Sequence, residues 1–251
     1  MQINNNSNLN KEYKPLLSLC IPTFNRAFCL VNQLEQIKNN LINFDNKNNI
    51  EICISDNAST DNTLKVIEEY KKYFNIQLFK SKKNYGSLLN QVHVLEMASG
   101  KYVWLLSDDD LIENDSLRYL YKIILNNDLD ILHIKIISPF NHKDVNFNFY
   151  EKFKDCNFNY HKNDSIISKK NYIQFLKKDK GVALGYISST IFRKKFINFQ
   201  FFKDLIKKNT IKFDFLLLFI VFEQIKSINK AYLTKPIINQ ISAAGHKHGL
   251  Y

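Results

Sequence analysis

Three consecutive carboxylates, Asp108-Asp109-Asp110, follow directly on the apolar run Tyr102-Val103-Trp104-Leu105-Leu106. Such a run reads as a strand covered on both faces, so the chain delivers three negative charges to one strand end. Charges placed so closely repel one another unless a cation neutralises them. A divalent metal carrying phosphates suits that place, because hard cations take carboxylate oxygens and complete their shell with substrate phosphates. The competing reading is a solvated acidic turn ahead of the next helix, and the buried strand upstream weakens it.

The segments that must position the triplet alternate strand and helix. Leu16 to Ile21 is apolar and stops at Pro22, after which Leu30, Leu34, Ile37 and Leu41 mark one helical face. Ile50 to Ile54 is a second strand, halted by Ser55-Asp56-Asn57. Ser59, Thr60 and Asp61 offer caps to a helix that buries Leu64, Ile67, Tyr70 and Phe74. Ile76 to Phe79 is a third strand. The helix through Leu88, Val92 and Leu95 is expected to end at Gly100 as its left-handed terminus. A helix over Leu117 to Leu125 and a strand over Asp130 to Ile137 complete the series. This succession predicts a mainly parallel central sheet flanked by helices on both faces. Ligands of such sheets bind outside the carboxyl ends of the strands. Four of those ends carry polar or loop-forming residues: Pro22-Thr23-Phe24-Asn25-Arg26, Ser55-Asp56-Asn57, Asn84-Tyr85-Gly86 and Ser107 to Asp110.

The rhythm stops near Asn141. Asn141 to Asp164 is polar, aromatic and irregular, as in a long loop or insertion. Lys169 to Leu176 suggests a helix, Gly181 to Phe192 an apolar segment, and Asp214 the start of an apolar helix through Phe222. Tyr232 to Ile241 reads as a strand interrupted by Pro236.

Composition narrows the class. At 251 residues, with 45% hydrophobic and 14% aromatic residues, the chain has enough apolar material for a large α/β unit. The tail, residues 1–14, is polar and lacks the apolar stretch of a signal peptide. Phe213 to Phe222 contains Asp214 and falls far short of the ~20 residues of a membrane span. Both observations point to the cytoplasm. Cys20, Cys29, Cys53 and Cys156 show no metal-finger spacing and read as reduced thiols, two of them within strands. The net charge of +11 favours a polyanionic partner: nucleotide phosphates, lipid phosphates or nucleic acid. His93 and His133 lie on regular elements and read as structural, whereas His246 and His248 are either extra metal ligands or part of a flexible terminus. Neither G-x-G-x-x-G nor G-x-x-x-x-G-K-[ST] occurs, which argues against dinucleotide-binding and P-loop chemistry. The absence of G-x-S-x-G argues against an α/β-hydrolase.

Taken in order, Pro22-Thr23-Phe24-Asn25-Arg26, Ser55-Asp56-Asn57-Ala58-Ser59-Thr60-Asp61 and Gly100-Lys101-Tyr102 leading to Ser107-Asp108-Asp109-Asp110 resemble a family 2 glycosyltransferase of the GT-A fold. The resemblance covers Leu16 to Leu125. Trp104 to Asp110 is similar to bacterial enzymes of surface-polysaccharide synthesis, abequosyltransferase-like members among them. It implies a nucleotide-sugar-binding half over 15–140 and a smaller acceptor-binding half of the same domain over 141–251. It also implies an inverting transfer from a UDP-, dTDP- or CDP-sugar to a glycan or lipid-linked acceptor of lipooligosaccharide, O-antigen or capsule. Carried over by position, Pro22 and Phe24 border the nucleobase, within a nucleotide-binding segment that includes Thr23, Asn25 and Arg26. Asp56 accepts from the base edge, Asn84 touches base or ribose, and Asp108 contacts the ribose. Asp109 binds Mn²⁺ or Mg²⁺, with Asp110 as a second metal ligand. Ser107 stands where the family more commonly has Asp, so the carboxylate pattern is shifted. Asp214, just before a helix, matches the catalytic base; an N-cap role is the alternative, and Asp204 and Glu223 are further candidates. The basic clusters of the second half suit peripheral contact with an anionic membrane at the inner face of the cell membrane. Two other readings remain: an aspartyl-nucleophile phosphatase built on Asp108-x-Asp110, and a basic nucleic-acid-binding protein.

Overall fold

Four strands, β1 (Leu17–Thr23), β2 (Ile50–Asp56), β3 (Ile76–Lys80) and β4 (Tyr102–Leu105), pair in parallel in the order β3-β2-β1-β4. The computed structural model describes residues 15–137, 164–178, 184, 187–208, 216, 220–221, 223, 225 and 227–240. Chain progress runs from β1 outward to β2 and β3, then returns to the other side of β1 as β4. Parallel sheets open a crevice at such a reversal, outside the carboxyl ends of the two strands.

Helices cover both faces. On one side lie α1 (Ala27–Leu41), α2 (Thr63–Tyr70) and α4 (Ser116–Asn126), which bury Leu30, Leu34, Ile67, Leu117 and Leu120. On the other lie α3 (Ser87–Met97), α5 (Lys169–Lys178) and α6 (Phe199–Lys207), which bury Val92, Leu95, Phe175 and Phe202. β4 divides its side chains between them: Tyr102 and Trp104 join the first core, Val103 and Leu105 the second. All four are at most 1% exposed, as the uninterrupted apolar run predicted.

Beyond β4 the sheet is mixed. β8 (Thr190–Arg193) lies antiparallel between β4 and β6 (Ile131–Ile137). β9 (Lys230–Gln240) runs parallel to β6 and antiparallel to β5 (Asp110–Ile112) and β7 (Ser165–Ser168). One sheet therefore joins residues from both halves of the chain. The expected interruption at Pro236 is not a break: β9 continues through it, and the pairing with β6 shifts register on either side of Lys135, the residue opposite. Proline has no N–H to offer the ladder, so the irregularity falls there.

Gly100 departs from its expected role. α3 stops at Met97 and Ala98 is extended, so no left-handed glycine terminates it. The glycine serves close approach instead, since a Cβ there would lie 2.5 Å from Ser18 Oγ and 2.9 Å from the Ser18 backbone nitrogen. His133 is buried edge-on against Phe175, with ring centroids 5.1 Å apart, and burial pushes its pKa down to about 3. It is a neutral core residue, as expected. Cys20 and Cys53 are buried free thiols at paired positions of β1 and β2. Among the described residues no helix is long and apolar enough to cross a membrane. The tail, the expected loop over Asn141 to Asp164 except Asp164 itself, Cys156, His246 and His248 lie outside the described residues.

Gly100→Ala is expected to lower stability by about 1–3 kcal/mol through overpacking against Ser18. In urea unfolding this appears as a lower midpoint with an unchanged slope.

Candidate active site

The loop after β1 is fixed before it meets any ligand. Asn25 takes a left-handed conformation (φ 51°), which Asn tolerates better than most residues. Its backbone N–H donates to Ser59 Oγ at 2.8 Å, and its Oδ1 accepts from the Thr60 N–H at 2.7 Å. Asp61 then serves two helices at once, accepting from the backbone N–H of Ala27 at 3.0 Å and of Thr63 at 2.9 Å. A carboxylate shared between two helix N-termini suits both dipoles. Burial opposes its charge, yet the hydrogen bonds from Thr63 and Ala27 hold its pKa below the usual carboxylate range.

This clasp aims Arg26 at the carboxylate triplet. Arg26 Nε lies 3.2 Å from Asp108 Oδ1, and the Arg26 guanidinium also pairs with Asp109 Oδ2. Thr23 Oγ1 donates to the second oxygen of Asp108 at 2.7 Å, and Ser107 Oγ donates to Asp109. Burial pushes Asp108 up to about 7 against the pull of Arg26 and Thr23. Burial likewise pushes Asp110 up to about 6, opposed by a hydrogen bond with Ser188. Although burial works against it, the pair Asp108 and Asp109 holds the Arg26 guanidinium above its ordinary range. The cation that the triplet demanded is thus supplied in part by the chain itself.

A cleft of about 510 Å³ opens beside Arg26 and Asp108, at the carboxyl ends of β1 and β4. Pro22, Thr23, Phe24, Arg26, Asn84 and Asp108, all singled out from the sequence, line it. Asn25 is exposed but engaged with the second loop, and Asp56 is only 1% exposed, with its carboxylate 3.3 Å from the Ser59 N–H. Asn57, the next residue, forms the wall instead. Asp110 is buried on β5, whereas the Asp109 side chain is 20% exposed. Asp214 lies outside the described residues. Asp204 is on α6, where it accepts from Gln200, and neither it nor Glu223 lines the cleft. Four lining residues had not been singled out: Ser87, Asn90, Gln91 and Ile187. Two adjacent amides between the apolar Leu89 and Val92 of α3 were the legible sign of the middle pair. A larger cavity of about 910 Å³ lies at the opposite strand ends, near Ile50 and Ser99. The strand-end chemistry favours the smaller one.

The carboxylates do not form a preformed metal cage, for among the described residues no three His, Cys, Asp or Glu side chains converge. Asp108 is turned to Thr23 and Arg26, and Asp110 to Ser188. Asp109 offers a partly exposed hard oxygen beside the cleft residues Ser107 and Arg26. That donor fits a divalent ion held by one carboxylate and completed by substrate phosphates. A phosphatase nucleophile needs an open carboxylate, and Asp108 is 3% exposed and ion-paired.

The description "Glycosyl transferase family 2" matches residues 18–199. The chain is 37% identical over 119 residues to the abequosyltransferase RfbV of Salmonella typhimurium, covering 46% of this chain and 34% of that protein. The crystal structure of S. aureus TarS 1-349 in complex with UDP-GlcNAc superposes with a TM-score of 0.63 at 18% identity, covering 90% of this chain and 58% of that one. The mannosyltransferase PcManGT from Pyrobaculum calidifontis, in complex with GDP-Man and Mn²⁺, gives 0.57 at 15% identity, with 95% and 59% covered. The chain thus spans less than two thirds of the relatives it matches. The structural likenesses establish the fold alone, and it is the GT-A fold expected from the sequence.

The buried carboxyls set a pH dependence. Asp108 and Asp110 bind protons more tightly folded than unfolded, so the stability these two contribute is fully present below the unfolded value of 3.8. It falls as the pH rises towards about 7 for Asp108 and about 6 for Asp110. Melting temperatures measured from pH 4 to pH 8 should therefore decline over that window, and Asp108→Asn should flatten the decline.

Proposed function

The chain belongs to glycosyl transferase family 2, and on that premise we propose that it transfers a sugar, with inversion, from a nucleoside diphosphate donor to an acceptor hydroxyl. The observation that carries this reading is the cleft at the reversal between β1 and β4, where Phe24, Arg26 and Asp108 share one wall system. An aromatic face, a fixed guanidinium and a strand-end carboxylate match the three parts of a nucleotide: base, diphosphate and ribose.

Pro22 and Phe24 border the base, and Asp56, buried next to the wall residue Asn57, is the acceptor for a base N–H such as N3–H of uracil or thymine. Thr23 and Asn25 hold the loop around the nucleotide, and Asn84 bounds its base or ribose side. Asp108 accepts from the ribose. Arg26, already held between two carboxylates, turns part of its fork to the diphosphate, because a guanidinium binds phosphate oxygens in pairs. Asp109 is the first ligand for Mn²⁺ or Mg²⁺, with Asp110 supporting it from β5. A metal held there supplies charge stabilisation for the leaving diphosphate. The base that removes the acceptor proton is Asp214, in the acceptor-binding half over 141–251.

The acceptor we propose is a bacterial surface glycan or its lipid-linked precursor, met at the inner face of the cell membrane. Two observations support that setting: the likeness to an abequosyltransferase and the net charge of +11, which favours an anionic surface.

Isothermal titration of UDP, dTDP, CDP and GDP, with and without Mn²⁺, tests the donor half. At least one is expected to bind more tightly with the metal, and binding of none would overturn the reading. Asp109→Asn should remove the metal's contribution. Asp214→Asn should leave nucleotide affinity intact and lower the transfer rate by about 10²–10⁴-fold, the usual range for loss of a general base. A fully active Asp214→Asn would take that residue out of the mechanism.

A further inference from the structure

Four carboxamides line the cleft, and the fold engages three of them. Asn57 donates to Asn84 Oδ1 at 2.8 Å and accepts from the Tyr85 N–H at 3.0 Å. Asn84 Oδ1 also accepts from the Gly86 N–H at 2.8 Å. Asn90 accepts from Ser55 Oγ at 2.6 Å and donates to the Thr23 carbonyl at 3.2 Å, tying α3 to β1 and β2. Gln91 is different. Its Nε2 donates to Ser87 Oγ at 3.0 Å, but its Oε1 is buried and meets no hydrogen-bond donor among the described residues. The whole residue is only 3% exposed.

A buried acceptor without a donor destabilises a fold, and native proteins keep few of them. An apolar side chain of similar length would relieve the deficit at this place on α3. The helix needs no amide at Gln91 to hold β1 and β2, because Asn90 already makes those bonds. What the unfilled acceptor does suit is a ligand that brings its own donor into the cleft. Phosphate oxygens carry no proton to give at neutral pH, which excludes the diphosphate. The base N–H is assigned to Asp56 in the reading above. Among the donors that remain, the hydroxyl groups of the ribose and of the transferred sugar are common to nucleotide sugars whatever the base.

We propose that Gln91 is a specificity-determining residue of the donor site, its Oε1 accepting a hydrogen bond from a hydroxyl of the bound nucleotide sugar. The proposal rests on the nucleotide-sugar reading of the cleft and deepens it. A site built to accept from a hydroxyl discriminates strongly against an analogue that lacks it, because the buried acceptor is then left unmade.

Gln91→Met, which keeps the length and removes the acceptor, supplies the test. Without ligand, the variant should melt no lower than the wild type, since it loses an unsatisfied group. Titration then compares UDP, its 2′-deoxy analogue and a UDP-hexose, or the corresponding set for whichever base the wild type binds. If a ribose hydroxyl is the donor, the variant binds the ribonucleoside diphosphate about tenfold more weakly than the wild type does, and, where that hydroxyl is the 2′ one, no better than it binds the deoxy analogue. If a hydroxyl of the transferred sugar is the donor, the diphosphate binds equally to both proteins and the diphosphate sugar about tenfold more weakly to the variant. Equal affinity for every ligand overturns the proposal, as does a variant that melts far lower or fails to fold, for Gln91 would then be scaffold. A wild-type protein that binds no nucleotide at all overturns the underlying reading instead, and the two failures are separate.

Discussion

A carboxylate at the end of a strand covered on both faces has no water to hold its charge, and at Asp108 the Arg26 guanidinium stands in for that water. The same guanidinium reaches Asp109, so one side chain balances two members of the triplet. Its position depends on the parallel pairing of β1 with β4, which sets the end of one strand beside the end of the other. It depends equally on the clasp of Asn25 by Ser59 and Thr60, and on Asp61 at the start of both α1 and α2. Hydrogen bonds between neighbouring loops thereby decide where the charge of the site lies. Coulomb attraction at a low-dielectric strand end is strong, and here it is also directional because the fork of the guanidinium is rigid.

Much of the architecture was legible in the sequence, for a physical reason. β1, β2 and β4 are covered on both faces, so they read as mostly apolar runs, broken only by Ser18 in β1 and Glu51 in β2 ahead of their polar ends, while α1 and α4 bury one face and show a helical period. The carboxyl ends of these strands could then be read as one locus. Long-range pairing was not legible. β8 contributes four residues and β5 three, too few for a period, and each is a strand only because a distant partner borders it. The charge balance was hidden for the same reason, since Arg26 and Asp109 are separated by 83 positions. Asn84 shows a subtler limit. Its residue type suited a ligand contact, but its carbonyl is engaged by Asn57 and Gly86, which only the folded geometry reveals.

Among the described residues, hydrogen bonds brace much of the cleft wall. Asn57, Asn84 and Asn90 lock three segments to one another, and Trp104 and Ser107 are both bonded to Ser188 from the second half of the chain. A wall preorganised by its own hydrogen bonds gives up little conformational freedom when a ligand arrives. The residues left with capacity to spare, the partly exposed Asp109 and the buried Gln91 carbonyl, are then the ones whose state a ligand can change.

The insertion of β8 beside β4 also sets a timetable. Trp104 pairs with Ile191, so the apolar edge of the strand that carries the site stays open until the ribosome has made 87 further residues (191 − 104). At usual elongation rates that interval is on the order of ten seconds, long compared with the closure of the local β-α units around β1 to β3. An unpaired strand edge is a template for pairing with another chain. The nascent protein therefore passes through a period in which the units from β1 to β4 are nearly formed while the β4 edge is still open to pairing with another chain.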